Sequence, residues 1–144
     1  MNTETVTQPA TDYIVIKIDD QQDFRVDHKT FELSDDSISV TAREGRGGNM
    51  EPKQDLFFSC PRYSGHYDFD ALLNAMFQQH SDMYFFKYAP INGGGAVVMR
   101  NPAAAHGAFS MEMKLFYNSG PIGIIVPELI RVHVAFNFDL NPQT

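Results

Sequence analysis

A mainly β fold is what the sequence predicts, built as a two-sheet β-sandwich or a rolled barrel with one flanking α-helix over about residues 69–79. Three observations carry that expectation. Apolar residues recur with period two along most of the chain, the stretches between them hold Pro, Gly and Asn, and one segment alone switches to a helical period.

In chain order, "DYIVIKID" (12–19) is rich in β-branched residues and alternates as a half-buried strand does. "HKTFELS" and "DSISVTA" follow, with Asp35 and Asp36 at the turn between them, and "QDLFFSC" resumes the pattern after a long irregular stretch. In "DFDALLNAMFQQH", Phe69, Leu72, Leu73, Met76 and Phe77 recur at i, i+3, i+4, i+7 and i+8, and Asp68 stands where a helix N-cap belongs. "DMYFFKYA", "AVVMR", "AFSMEMKLFY" and "ELIRVHVAFNFDL" complete about eight strands, separated by the turn-like "PINGGG", "NPAAAHG" and "NSGPIG". A single amphipathic helix cannot cover both faces of a sheet. The apolar sides must therefore pack on each other, with the helix closing one open side.

The last of these strands poses the functional question. In "RVHVAFNFDL", Val132, Val134, Phe136, Phe138 and Leu140 fall on one side of an extended chain, and Arg131, His133, Ala135, Asn137 and Asp139 on the other. The first side is core. The second, with Arg131, His133, Asn137 and Asp139, is expected to face a lumen or solvent.

At 144 residues, a single domain can bury about two-thirds of its unfolded surface, so one domain spanning 1–144 is expected, with extended termini. A formal net charge of -7 argues against a phosphate-neutralising nucleic-acid binder. The lone Cys60 cannot form an internal disulfide, fits a reducing compartment, and reads as a small buried hydrophobe. "MNTETVTQPAT" has no basic and apolar leader pattern, and no run approaches a membrane span, so no membrane insertion and no export are expected.

The sequence offers little chemistry. Histidines 28, 66, 80, 106 and 133 are scattered without metal-ligand spacing, and neither a metal nor a cofactor is expected. His133 is placed to partner a neighbouring carboxylate or to sit hydrogen-bonded at a surface or interface. "INGGGAV" lacks the Lys and Ser/Thr of a phosphate loop, and "SGH" at 64–66 lacks the glycines of a nucleophile elbow. The adjacent carboxylates at 19–20 and 35–36 point to opposite sides of an extended chain and form no acid/base pair. No catalytic constellation emerges, and the chain is not expected to be an enzyme.

The segment from about 43 to 53 has no apolar periodicity and mixes three basic residues, two acidic residues and three glycines. Loops this long without secondary structure tend to be functional. It reads as a lid, as an arm to a neighbouring subunit, or as a disordered hairpin tip. As an arm it makes Arg43, Glu44, Arg46, Gly47, Gly48, Glu51 and Lys53 the expected subunit interface, through opposite charges.

The order of these parts resembles the tail tube proteins of tailed bacteriophages and the inner tubes of contractile injection systems. The likeness rests on the long polar loop, "YDFDALLNAMFQQ", "MYFFKYAP", the glycine-rich tip, "FSMEMKLF" and "RVHVAFNF". It implies a virion structural subunit, made in the host cytoplasm, six copies of which close into a ring; stacked rings form a tube that conducts DNA. Its partners are then itself, other tail proteins at the tube ends, and DNA in transient non-specific passage. "PIGIIVPELI" departs from the pattern, being more apolar than an exposed turn. A tail terminator, connector or baseplate hub subunit shares the architecture, and a small β-barrel ligand-binding protein or enzyme with a pocket lined by Phe and Met is the second alternative.

Overall fold

The computed structural model describes residues 12–19, 21, 24–45, 54–68, 70, 73–81, 84–119 and 126–141. Its strands are β1 (Tyr13–Ile18), β2 (His28–Leu33), β3 (Ser37–Glu44), β4 (Gln54–Pro61), β5 (Gly65–Asp68), β6 (Leu73–Ser81), β7 (Tyr84–Asn101), β8 (Ala104–Asn118) and β9 (Leu129–Asp139). They join into one antiparallel sheet of order β1-β9-β8-β7-β6-β4-β3-β2, with β5 beside β7. The sheet curls into a half-barrel. The expected mainly β class holds, but among the described residues one curled sheet stands in place of two separate ones.

The curl follows from where the apolar side chains sit. On β9, Val132, Val134, Phe136 and Phe138 are buried, while Arg131, His133, Ala135, Asn137 and Asp139 alternate outward. Leu140 lies past the strand and is exposed, so the apolar run ends at Phe138. Phe31 of β2 meets Phe136 and Phe138, and Phe58 of β4 meets Phe109 and Phe136. Strands far apart in the sheet order thus share one aromatic core. Burying each such ring contributes about 1.5–3 kcal/mol, and only a curled sheet brings them together.

Two sequence expectations are corrected. The helix over 69–79 is replaced over residues 73–79 by β6, and Asp68, its expected cap, ends β5. Ala75 and Phe77 are buried on β6 while Met76, Gln78 and His80 are not, an alternation that the helical spacing also happens to satisfy at Phe77. The deciding force is tertiary: β4 and β7 both present ladder groups to this segment, and an extended chain satisfies both.

Nor does "PINGGG" form a turn. β7 runs through it, and the hairpin to β8 turns at Pro102 and Ala103. Pro90 lies beside a bulge, beyond the last residue of β7 paired to β6 and before the first paired to β5, so its missing N–H leaves no gap. Gly93 has φ 141°, a conformation that L side chains rarely adopt. At Gly95 a Cβ would lie 2.0 Å from the Ala108 carbonyl oxygen, so a side chain there is excluded by close strand packing. Residues 120–123 of "NSGPIG" and 121–125 of "PIGIIVPELI" lie outside the described residues.

Cys60 is fully buried, and burial pushes its thiol up to about 12. It is a core side chain and not a reactive one.

Candidate functional site on the outer face of the sheet

Cross-strand register builds the site. One row of partners runs Lys17, His133, Ser110, Gly94, Asp68 across β1, β9, β8, β7 and β5. The next outward-facing row runs Val15, Ala135, Ala108, Ala96, His66. Small residues in the middle of both rows, with longer side chains at their ends, leave a groove of about 400 Å³. Val15, Lys17, Ser110 and His133 line it above a floor of Gly94, Gly95, Ala108 and Ala135.

Within the groove His133 is held from both sides. Its Nε2 lies 3.0 Å from Asp19 Oδ1 and its Nδ1 lies 2.8 Å from Ser110 Oγ. A carboxylate only accepts, so for the neutral ring Nε2–H donates to Asp19 and Nδ1 accepts the Ser110 hydroxyl proton. The tautomer is set by the carboxylate. Side-chain exposures of 39% for His133 and 53% for Asp19 keep the chain of bonds open to solvent.

The other outward residues of β9 make separate attachments. Arg100 of β7 donates from Nη1 to Asn137 Oδ1 at 2.6 Å and from Nη2 to the Phe138 carbonyl at 2.9 Å, and its Nη1 also lies 3.0 Å from His106 Nδ1. Arg131 approaches Glu112 at 4.0 Å. Asp139 accepts from the backbone N–H and side-chain amide of Asn141.

Arg43 and Glu44 lie in β3 and not in the loop after it. Glu44 is buried, and its Oε1 accepts from the Arg25 backbone N–H at 2.8 Å and from Gln54 Nε2 at 2.9 Å. It ties β3 to β4 and to the chain before β2. Arg46, Gly47, Gly48, Glu51 and Lys53 lie outside the described residues.

A second cluster sits further along the outer face. Asp55 of β4 lies 3.8 Å from His80 of β6, which stacks on Phe85 at 4.4 Å, and Lys87 Nζ lies 5.0 Å from the same ring's centroid. Burial raises the Asp55 carboxyl above its usual 3.8, against the pull of His80 and Arg43. Among the described residues no group of three or more His, Cys, Asp or Glu is arranged to hold a metal ion. None of their helices is long and apolar enough to cross a membrane.

The bond chain from Asp19 through His133 to Ser110 has no sequence motif, because its ends are far apart in the chain and meet only through register. The sequence signals were the isolated polar positions of β9 and the expectation that His133 could partner a carboxylate, which here is Asp19. No family model matches the chain, and neither the curated proteins nor the solved structures contain a match to it.

Proposed function

We propose that the chain is a structural virion subunit that assembles with copies of itself, in the form of a tail tube built of stacked, six-membered rings that conduct DNA. The observation carrying this reading is that, among the described residues, the sheet is open and has two unlike edges. Ser34 N–H donates to the Ser37 carbonyl at 3.0 Å, closing the β2–β3 hairpin. Antiparallel alternation then turns the backbone groups of Glu32, Thr30 and His28 toward β3, and those of Lys29, Phe31 and Leu33 toward the free side. At the other end of the sheet, Ile16 of β1 is bridged by Phe24 of its own chain. Unlike edges favour a head-to-tail contact, which closes into a ring when its rotation allows.

In this reading the two facing halves of the curled sheet act as the two layers of the expected sandwich. The outer row on β9, with Arg131, His133, Asn137 and Asp139, faces the lumen or solvent, and the net charge of -7 keeps passing DNA sliding and not bound. Other tail proteins at the tube ends are its further partners. A terminator, connector or hub subunit is the nearest alternative within the virion. Negative-stain microscopy and the native mass of the purified protein test the assignment. Long hollow rods support a tube, closed rings alone support a terminator or connector, and a monomer at high concentration overturns both.

A second reading has its own observation. The groove over Gly94, Gly95, Ala108 and Ala135 is large enough for a small molecule, which supports a ligand-binding β protein. A monodisperse monomer whose melting temperature rises with a small ligand would favour it.

A further inference from the structure

We propose that Ser110 is an activated nucleophile and that the groove beside it accepts small activated acyl esters, an acyl-transfer activity separate from the assembly role. The carrying geometry is the directed chain of two hydrogen bonds, 3.0 Å from Asp19 to His133 and 2.8 Å from His133 to Ser110. Each group holds the role that nucleophilic catalysis requires: the carboxylate fixes the tautomer, the free imidazole nitrogen takes the hydroxyl proton, and the oxygen attacks. Ser and His are direct partners across β8 and β9, so the sheet fixes their spacing. The groove supplies room beside the hydroxyl, over Gly94, Gly95, Ala108 and Ala135.

The sheet also limits the chemistry. Ser110 lies on a strand paired on both sides, to Gly94 and to His133, so its stretch of backbone offers no free pair of N–H groups for an oxyanion hole. Lys17, the register partner of His133, is the cation lining the groove, and in this proposal its role is to stabilise the developing negative charge. Without backbone donors the site suits esters whose leaving group departs readily, with short acyl chains that fit over Ala108 and Ala135.

The step balances as follows. A bond forms between Ser110 Oγ and the acyl carbon, the ester C–O bond breaks, and the Oγ proton passes through His133 Nδ1 to the departing alkoxide. Water then adds to the acyl carbon, its proton passing to His133. The Oγ–acyl bond breaks, Ser110 regains its proton, and a carboxylic acid leaves.

The test uses the whole protein with p-nitrophenyl acetate, following p-nitrophenolate release and locating acetyl groups by mass spectrometry after digestion. A burst with acetyl on Ser110 is expected, and Ser110→Ala should lose both. His133→Gln, which keeps the hydroxyl, should slow acetylation about a hundredfold. Asp19→Asn, which no longer sets the tautomer, should slow it about a hundredfold or more. Release by wild type equal to that of Ser110→Ala overturns the proposal, as does acetyl confined to lysines. A fluorophosphonate reagent on the unaltered protein gives a check that needs no variant: modification of Ser110 supports the assignment, and an unmodified Ser110 defeats it.

Discussion

Phe31 of β2 packs on Phe138 of β9 with ring centroids 4.8 Å apart, although the two strands are near opposite ends of the sheet order. That contact joins the two halves of the curled sheet through its core. Phe138 is fully buried and Phe31 is partly buried against the core. Phe138→Ala should cost about 3–5 kcal/mol by chemical denaturation. Phe31→Ala should cost less, and the double variant should fall short of additivity by about 0.5–1.5 kcal/mol. Strict additivity would mean that the two ends of the sheet do not support each other.

Gly95 gives a sharper test of strand packing. A Cβ there would meet the Ala108 carbonyl oxygen at 2.0 Å and the Phe109 ring at 2.6 Å, and backbone cannot yield as a flexible side-chain end can. Gly95→Ala should therefore destabilise the fold by about 1–3 kcal/mol, the usual cost of overpacking, against the mild gain Ala brings in an unstrained strand. A melting temperature equal to or above wild type would show that β7 is not pressed against β8 at this position.

These glycines also show what the sequence could and could not disclose. The strands of "DYIVIKID", "QDLFFSC" and "RVHVAFNF" were legible because alternation on a half-buried sheet leaves a direct imprint. "PINGGG" misled because the same glycines that make turns also allow close backbone approach inside a strand. "DFDALLNAMFQQH" misled because Phe77 fits both periods and the demand of β4 and β7 for a middle partner is a long-range effect. Strand β5 is four residues long and pairs with β7 only through the glycine-containing stretch from Gly94 to Val97, so it left no pattern. A carboxylate partner for His133 was expected, but which carboxylate, and the meeting with Ser110, were illegible for the same reason. His133 could be marked as an outward polar residue, but its partners are set by register between strands distant in the chain.

Asp55 predicts a pH dependence whose sign is set by its burial. Its carboxyl is raised above 3.8 chiefly by desolvation. The folded state therefore holds this proton more tightly than the unfolded chain does. Stability from this group is fully present below the unfolded value and is lost as pH rises from there through the folded value. Asp55→Asn should remove that decline and leave the protein more stable at neutral pH. Urea midpoints from acid to neutral pH will read it. A variant less stable than wild type at neutral pH would mean that the contacts with His80 and Arg43 outweigh the desolvation.

The edge of β2 makes the assembly reading testable one residue at a time. Lys29 directs its backbone N–H to the free side and Thr30 directs its own to β3, by the alternation that the Ser34–Ser37 bond sets. Proline removes one N–H and little else at an edge position, so Lys29→Pro should leave the fold and its melting nearly unchanged. Thr30→Pro breaks a ladder bond inside the hairpin and should cost about 1 kcal/mol or more. If copies of the chain add to this edge, Lys29→Pro also deletes a donor that a neighbouring strand needs, and rods or rings should be lost while the monomer stays folded. Sedimentation and negative-stain images of both variants separate the outcomes. Full assembly by Lys29→Pro would show that subunits do not join through β2, and equal destabilisation by the two prolines would show that the register of the hairpin is other than the one described.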